Sequence, residues 1–490
     1  MSRHLPVLIF AFPFFTGVAM PLVGLWARAW CRPLTLIALS GMSLLALLLL
    51  ATVVEDGPIR YAFGGWAPPV GIEWVADGLS SLMMVAVSLI ALLAVVYAGS
   101  TLIQGPLAKK TALYYTLVLL LVSGLTGIVL TADLFNLFVF LELTSLSAYA
   151  LVGVAGGHAS LAAFRYLILA TIGASLYLLG VGFLYAATGT LNMADAAQRL
   201  PALLSSDMVL WGSVLIMVGL AIKMALVPLH GWLPDVYTHA PDAVSPLIAP
   251  LITKVSLYAL VRIAYWVFGP ETITGQIPIM PVLSWIGAGA ALVGAWLALI
   301  QQHLKRMFAY GGISHIGLSV LGISLGNQTG FAGGVFYLIT DAVMQAGLFF
   351  VAAAASSMHG VRELGELERL RGRMPWTLTA LIVTALSMIG FPPTGGFFGK
   401  WYLVLGALER EHYLAVAAII GSTLLTLAYF FRIFEKVYLE KTPVPARSPQ
   451  ELPWTMRLCL GVVTLALLIL GFGSNWLIAL IHATAVPKGL

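Results

Sequence analysis

The sequence predicts an all-α, polytopic membrane protein of about fourteen transmembrane helices, and three observations carry that prediction. Of its 490 residues, 60% are hydrophobic and only 9% are charged, and the mean hydropathy is +0.98. Apolar runs of about 20 residues, enough to cross a bilayer core of about 30 Å, recur from one end of the chain to the other. Basic residues crowd alternate connections between these runs, as the positive-inside rule requires.

The expected spans are 5–26, 33–54, 79–100, 111–131, 133–155, 160–188, 208–228, 244–268, 280–302, 304–325, 328–358, 375–408, 412–438 and 454–481. The first carries Pro13 and Pro21 and has no small-residue cleavage pattern after it, so it reads as a helix rather than a secretory signal. With the N-terminus outside, Arg28, Arg32, Lys109, Lys110, Lys305, Arg306, Arg362, Arg369, Arg371, Arg373, Lys436, Lys441 and Arg447 fall in cytoplasmic connections. Only Arg3, Arg60, Arg199, Arg410 and Lys488 then face out, so both termini are expected outside and the number of spans even.

Several function classes are excluded by what lies between the spans. The longest connections, 55–78, 189–207, 359–374 and 439–453, are too short for independent domains. Cys31 and Cys459 form no CxxC pair and join no Cys/His cluster, so neither a disulfide framework nor a metal site is expected. Gly287-Ala-Gly289 and Gly153-Val-Ala-Gly156-Gly157 sit in or beside apolar helices with no preceding strand, and no Walker motif occurs, so no nucleotide or other cofactor is expected. The net charge of +5 sits at helix ends rather than in a soluble basic stripe, which argues against nucleic acid as a partner.

Two spans carry breaks. The seventh runs through Ala225-Leu-Val-Pro228-Leu-His230 into Gly231-Trp-Leu-Pro234-Asp235, and the twelfth contains Gly390-Phe-Pro392-Pro393-Thr-Gly395-Gly396 before Lys400. They lie five spans apart, so helices 4–8 and 9–13 read as two inverted five-helix repeats with matching breaks, the arrangement in which transporters place ion pathways. A kink that only shapes packing is the alternative for either break alone. The expected division is residues 1–110 for helices 1–3, 111–269 for the first repeat, 280–440 for the second and 454–490 for helix 14.

Charged or titratable residues lie inside these apolar spans: Glu142, Lys223, Lys254, His315, Asp341 and Lys400. A central Lys or Asp costs about 2.5–3.5 kcal/mol to insert, which an internal polar path explains better than packing does. Lysine suits proton transfer because its proton affinity falls on desolvation and rises when a carboxylate approaches, so Glu142 moving against Lys223 would switch that lysine. Lys223 is placed to sit beside backbone groups freed by the first break. Lys254 reads as an inner relay, His315 as a bridge between halves, and Lys400 as the outlet beyond the second break. The alternatives are a static Glu142 ion pair, a snorkelling Lys223, a packed His315 and an interfacial Lys400. His230, Asp235, His239 and Asp242 cluster where a proton entrance would need titratable groups, or where a loop is simply capped and solvated.

Three segments carry a resemblance: Asp133-Leu-Phe-Asn-Leu-Phe-Val-Phe-Leu-Glu142; Lys223-Met-Ala-Leu-Val-Pro-Leu-His230-Gly-Trp-Leu-Pro-Asp235 onward to Lys254; and Gly311-Gly-Ile-Ser-His315-Ile-Gly317. Together they resemble the antiporter-like, proton-translocating subunits shared by multisubunit cation/proton antiporters and respiratory complex I. Phe164-Arg-Tyr-Leu-Ile-Leu-Ala-Thr-Ile-Gly-Ala and Thr188-Gly-Thr-Leu-Asn-Met-Ala-Asp195 look most like the D subunit of Mrp-type Na⁺/H⁺ antiporters. The resemblance implies a proton path through Glu142, Lys223, Lys254 and Lys400. It departs in the eleventh span, where relatives have a histidine and a lysine and this chain reads Ile339-Thr340-Asp341-Ala-Val-Met-Gln345. Gln345 cannot titrate, so either Asp341 and water replace the missing lysine or the coupled ion is not sodium.

What the resemblance implies is a proton-conducting subunit of a multisubunit Na⁺ or other monovalent cation/H⁺ antiporter in a bacterial inner membrane, working with other membrane subunits and the lipid bilayer. The rival expectations are a pumping subunit of a complex I-like oxidoreductase or membrane-bound hydrogenase, and a non-conducting scaffold.

Overall fold

Apolar runs bounded by proline, glycine or a polar cap become helices within a few residues of where the sequence places them. The computed structural model describes residues 2–102, 107, 110–439 and 451–490; Lys109, Lys441 and Arg447, with most of the 439–453 connection, lie outside the described residues. The helices in order are α1 Leu5–Trp26, α2 Cys31–Asp56, α3 Gly78–Thr101, α4 Thr111–Leu130, α5 Leu134–Gly153, α6 His158–Thr188, α7 Met193–Arg199, α8 Asp207–Lys223 and α9 Leu233–His239. They continue with α10 Ser245–Ile263, α11 Ile279–Leu299, α12 Leu304–Ile323, α13 Gln328–His359, α14 Pro375–Ile389, α15 Gly395–Glu409, α16 Tyr413–Phe434, α17 Trp454–Phe472 and α18 Ser474–Thr484. Among the described residues, 11 helices are long and apolar enough to cross a membrane. The other expected spans are α12 and the two broken pairs, α8/α9 and α14/α15.

Three expectations change in detail. The seventh span stops at Lys223 rather than 228, because Ala225 takes a left-handed backbone with φ of 56°, which ends an α-helix for any residue with a side chain. The last span divides at Gly473 into α17 and α18. The 55–78 connection holds a β-hairpin, β1 Ile59–Ala62 against β2 Glu73–Ala76, in register Ile59↔Ala76, so the chain is not wholly helical. Trp74 and Tyr61 supply the β-favouring side chains, and Gly64 and Gly65, both at positive φ, let the chain turn after β1.

The hairpin marks one face of the bundle. The Ala132 amide donates to the Glu73 carbonyl at 2.9 Å, the His4 ring lies edge-on to Tyr61, and Gly78 packs directly on Thr484. The Gln328 amide also donates to the carbonyl of Leu490 at 2.9 Å, so both ends of the chain lie on the hairpin side. On the opposite side, Lys305 pairs with Asp242 and Arg165 and Arg306 pair with Asp235.

Polar groups cluster on helices with little exposure. α10 is buried along its whole length and α13 along nearly all of it, whereas most of α1 and α17 is not. Bare glycines let neighbouring helices close in: a Cβ on Gly317 of α12 would lie 2.7 Å from the carbonyl of Gly287 on α11. Gly289, on the same helix as Gly287, has nothing within 4 Å. Gly317→Leu is therefore expected to lower the thermal stability of the purified assembly by several degrees, and Gly289→Ala to leave it unchanged, as read by a thiol dye reaching the buried free Cys31 and Cys459.

Candidate proton pathway

The first charged pair stands where α5 meets the end of α8. Lys223 is the last residue of α8, and its Nζ donates to Glu142 Oε1 at 3.0 Å and to Ser145 Oγ at 2.8 Å. The lysine side chain is 4% exposed and the glutamate 24%. Glu142 and Ser145 are three residues apart on α5, so they share a helix face and present a carboxylate and a hydroxyl together. The expectation that Lys223 lies against backbone freed by the break is not met. That role belongs to Trp232, whose indole N–H donates to the Ile222 carbonyl at 2.9 Å while its ring stacks on Tyr166 at 4.1 Å.

Deeper in the bundle, three helices converge on one carboxylate. Asp341 of α13 has no exposed side-chain surface, and its Oδ2 lies 2.9 Å from Lys254 Nζ on α10. Its Oδ1 lies 3.3 Å from His315 Nδ1 on α12, and that nitrogen is also 2.9 Å from the Tyr337 hydroxyl. Asp341 thus joins the two residues expected to relay and bridge. It also takes the central place on α13 that Gln345 cannot take: the Gln345 amide is buried beside Gly312, where an added Cβ would come within 2.9 Å of Nε2.

Lys400 is held differently again. It lies in α15 just past the second break, and its Nζ donates to the carbonyls of Met388 at 2.9 Å and Ile389 at 3.1 Å and to Thr423 Oγ1 at 3.1 Å. Those carbonyls are the ones that α14 leaves without an intrahelical partner where it ends at Ile389. Among the described residues no carboxylate pairs with Lys400, so the negative end of a half-helix takes the place of a counter-ion.

The group at the end of the first break is only partly assembled. Asp235 pairs with Arg165 at 2.8 Å and Arg306 at 3.4 Å, and its carbonyl meets His239 Nδ1 at 2.9 Å. Asp242 pairs with Lys305 at 2.6 Å rather than with those residues. His230 stands apart, its ring 6.3 Å from Tyr310. His158, His239, His303, Asp242, Lys305 and Arg362 line a cavity of about 770 Å³ on this side. Burial, with Lys305 and Arg362 alongside, pushes His303 down to about 4.

Residues 131–426 match the family described as NADH:quinone oxidoreductase/Mrp antiporter, TM. The chain belongs to that family. It is 42% identical to the N subunit of the NADH-quinone oxidoreductase of Desulforudis audaxviator over 99% of both chains. It is 31% identical to the D subunit of a Na(+)/H(+) antiporter of Alkalihalophilus pseudofirmus, covering 88% of this chain and 85% of that one. Its fold matches a chain of an archaeal respiratory complex, the membrane-bound sulfane sulfur reductase, with TM-score 0.89 and 28% identity over 98% and 97% of the two chains. It also matches a chain of the Mrp complex from Dietzia with TM-score 0.88 and 25% identity over 98% and 96%.

Several polar partners in this family member carry no signal in the sequence. Ser145, Tyr337 and Thr423 are uncharged, and nothing in one sequence separates them from the many other hydroxyls in the spans. Arg262 is different: it lies within the expected 244–268 span, and its charge alone was a usable signal. It pairs with Asp77 at 2.6 Å.

Two outcomes follow from the site. Removing one partner of a buried pair leaves an uncompensated charge, so Lys254→Met is expected to destabilise the protein by roughly 3–5 kcal/mol, and Lys254→Met with Asp341→Leu by much less; thermal unfolding of the two variants in detergent checks this. For His303, an unfolded chain takes up a proton near pH 6.5 and the native chain only near 4, so its contribution to stability is lost as pH falls between those values. His303→Gln is expected to flatten the loss of thermal stability in that window.

Proposed function

We propose that this chain is the proton-translocating subunit of a multisubunit monovalent cation (Na⁺)/H⁺ antiporter of the Mrp type, seated in a bacterial inner membrane with both termini outside. The observation that carries this reading is the Lys254–Asp341–His315 cluster, three titratable groups with almost no exposed surface, each supplied by a different helix. Ionisable groups so deep in a membrane bundle mark ion or proton pathways.

In this reading protons are taken up from the side holding Asp235, His239 and His230, through the cavity beside Asp242. They reach Lys223, whose proton affinity Glu142 sets, then Lys254, Asp341 and His315. They leave through Lys400. The two lysines at the breaks hold protons in different ways: a carboxylate that moves toward or away from Lys223 switches it over a wide range, whereas the fixed carbonyls around Lys400 stabilise its charged form less than a full anion does. The division into residues 111–269 and 280–440 as inverted repeats gives each half one broken helix, and the Asp341 cluster then couples the halves.

A second reading, a pumping subunit driven by electron transfer in a complex I-like oxidoreductase, is favoured by the 42% identity to the N subunit of an oxidoreductase across the whole chain. The measurement that separates them is proton movement in vesicles carrying the whole complex, driven either by a sodium gradient or by a quinone reductant. Sodium-driven movement is expected, with Lys223→Ala and Glu142→Ala each reducing it at least about tenfold at equal assembled protein, the scale on which removing a positioned proton-transfer group acts. Movement driven only by the reductant would select the second reading. Undiminished transport in both variants would leave this chain a scaffold.

A further inference from the structure

The short helix after the first break is gripped at two points by one neighbour. Trp232 stands at the N-cap of α9, and its ring stacks on Tyr166 of α6 at 4.1 Å with 9° between the planes. Three residues further on, Asp235 pairs at 2.8 Å with Arg165, the residue beside Tyr166. Two adjacent side chains of α6 thus hold two residues of α9 that lie nearly one turn apart. From the same end of α9 the Trp232 indole reaches back across the break and donates to the Ile222 carbonyl at 2.9 Å.

That carbonyl belongs to the residue just before Lys223. It also accepts the Ala225 amide at 3.1 Å, in a turn where Ala225 is left-handed, a backbone that residues with a side chain disfavour. The indole is therefore a second donor on a strained helix end, and the stacking fixes where that donor stands. Tyr166 in turn meets Tyr149 of α5 edge-on at 4.6 Å. Tyr149 follows Ser145 by four residues and Glu142 by seven, so it shares the α5 face that holds the Lys223 amine. All three rings are buried. The contacts close a ring: Lys223 to Glu142 and Ser145 on α5, Tyr149 to Tyr166, Tyr166 to Trp232, and Trp232 back to the carbonyl beside Lys223.

From this closed ring we infer that Trp232 is a positioning residue for the proton switch: its indole bond and its stack set the separation of Lys223 from Glu142. Tryptophan suits the task because its N–H only donates, so it holds a carbonyl without exchanging protons with the lysine next to it. Drawing the α8 end back by about 1 Å would stretch the 3.0 Å contact between Lys223 Nζ and Glu142 Oε1 to about 4 Å, beyond hydrogen-bond range. Asp235 also ties α9 to Arg306 of α12 at 3.4 Å. A movement of α9 against either neighbour therefore reaches Lys223 through Trp232. This inference rests on the proposed role of Lys223 as a proton carrier.

The test combines Trp232→Phe, which keeps an aromatic ring on Tyr166 and removes the N–H donor, with Glu142→Gln, both in the whole complex. Each single variant is expected to lower the thermal unfolding midpoint, and the double variant to lower it by less than the two shifts added, since a loosened pair leaves less for Glu142→Gln to remove. Driven proton movement in vesicles is expected to fall at least about tenfold in each single variant and no further in the double. Its pH profile is expected to be displaced by Trp232→Phe in the same direction as by Glu142→Gln. Additive thermal shifts, or a native pH profile in Trp232→Phe, would overturn the inference, because a tryptophan that only packs gives both. Failure of Trp232→Phe to assemble would overturn it as well, since the ring would then serve folding rather than the switch. Less-than-additive thermal shifts in a complex that moves no protons would remove Lys223 as a carrier and keep Trp232 as the residue that positions it.

Discussion

A carboxylate without exposed surface in the middle of α13 is the constraint on which the rest of the bundle depends. An ionised aspartate in a low-dielectric interior needs a cation in contact and its remaining lone pairs satisfied. Asp341 obtains the cation from Lys254 on α10 and has His315 of α12 against its other oxygen. Three helices must therefore hold a common register, and the glycines that let α11 close on α12 serve that register from outside. The charged centre thus fixes packing, and the packing in turn fixes the geometry of the charged centre.

The two broken helices solve the same backbone problem with opposite consequences. Where a helix ends inside a membrane bundle, its last carbonyls must find donors. At the first break a neutral donor, the Trp232 indole, meets the freed Ile222 carbonyl, and Lys223 stays available to a carboxylate on α5. At the second break the donor is Lys400 itself, tied to two carbonyls. One lysine faces a group that side-chain motion can bring or withdraw. The other faces backbone that moves only if the helix does.

Lysine and arginine divide the work along similar lines. Lys223, Lys254 and Lys400 make point contacts rather than a planar fork. Arg262 makes a planar fork with four hydrogen bonds engaged, a geometry suited to staying in place. A point contact and a planar fork thus lie on a single face of α10.

The positions of the spans, the breaks at Pro228 and Pro392-Pro393, and the identities of Glu142, Lys223, Lys254, His315, Asp341 and Lys400 were legible in the sequence. Lipid as a solvent makes each of them a local matter, since twenty apolar residues or one buried charge identify themselves without reference to the rest of the chain. The pairings were not legible. That Lys223 turns to Glu142 and away from the break, that Asp341 rather than a position near Gln345 anchors α13, and that Asp77 lies under Arg262 all depend on which helix faces meet across separations such as the 185 residues between Asp77 and Arg262. The β-hairpin escaped for a related reason: its two strands are four residues each and are steadied by backbone bonds to the α4–α5 connection. Sequence fixes what each segment must hide from lipid, whereas only the packed bundle decides what each hidden charge will face, because an ion pair is a property of two surfaces brought together.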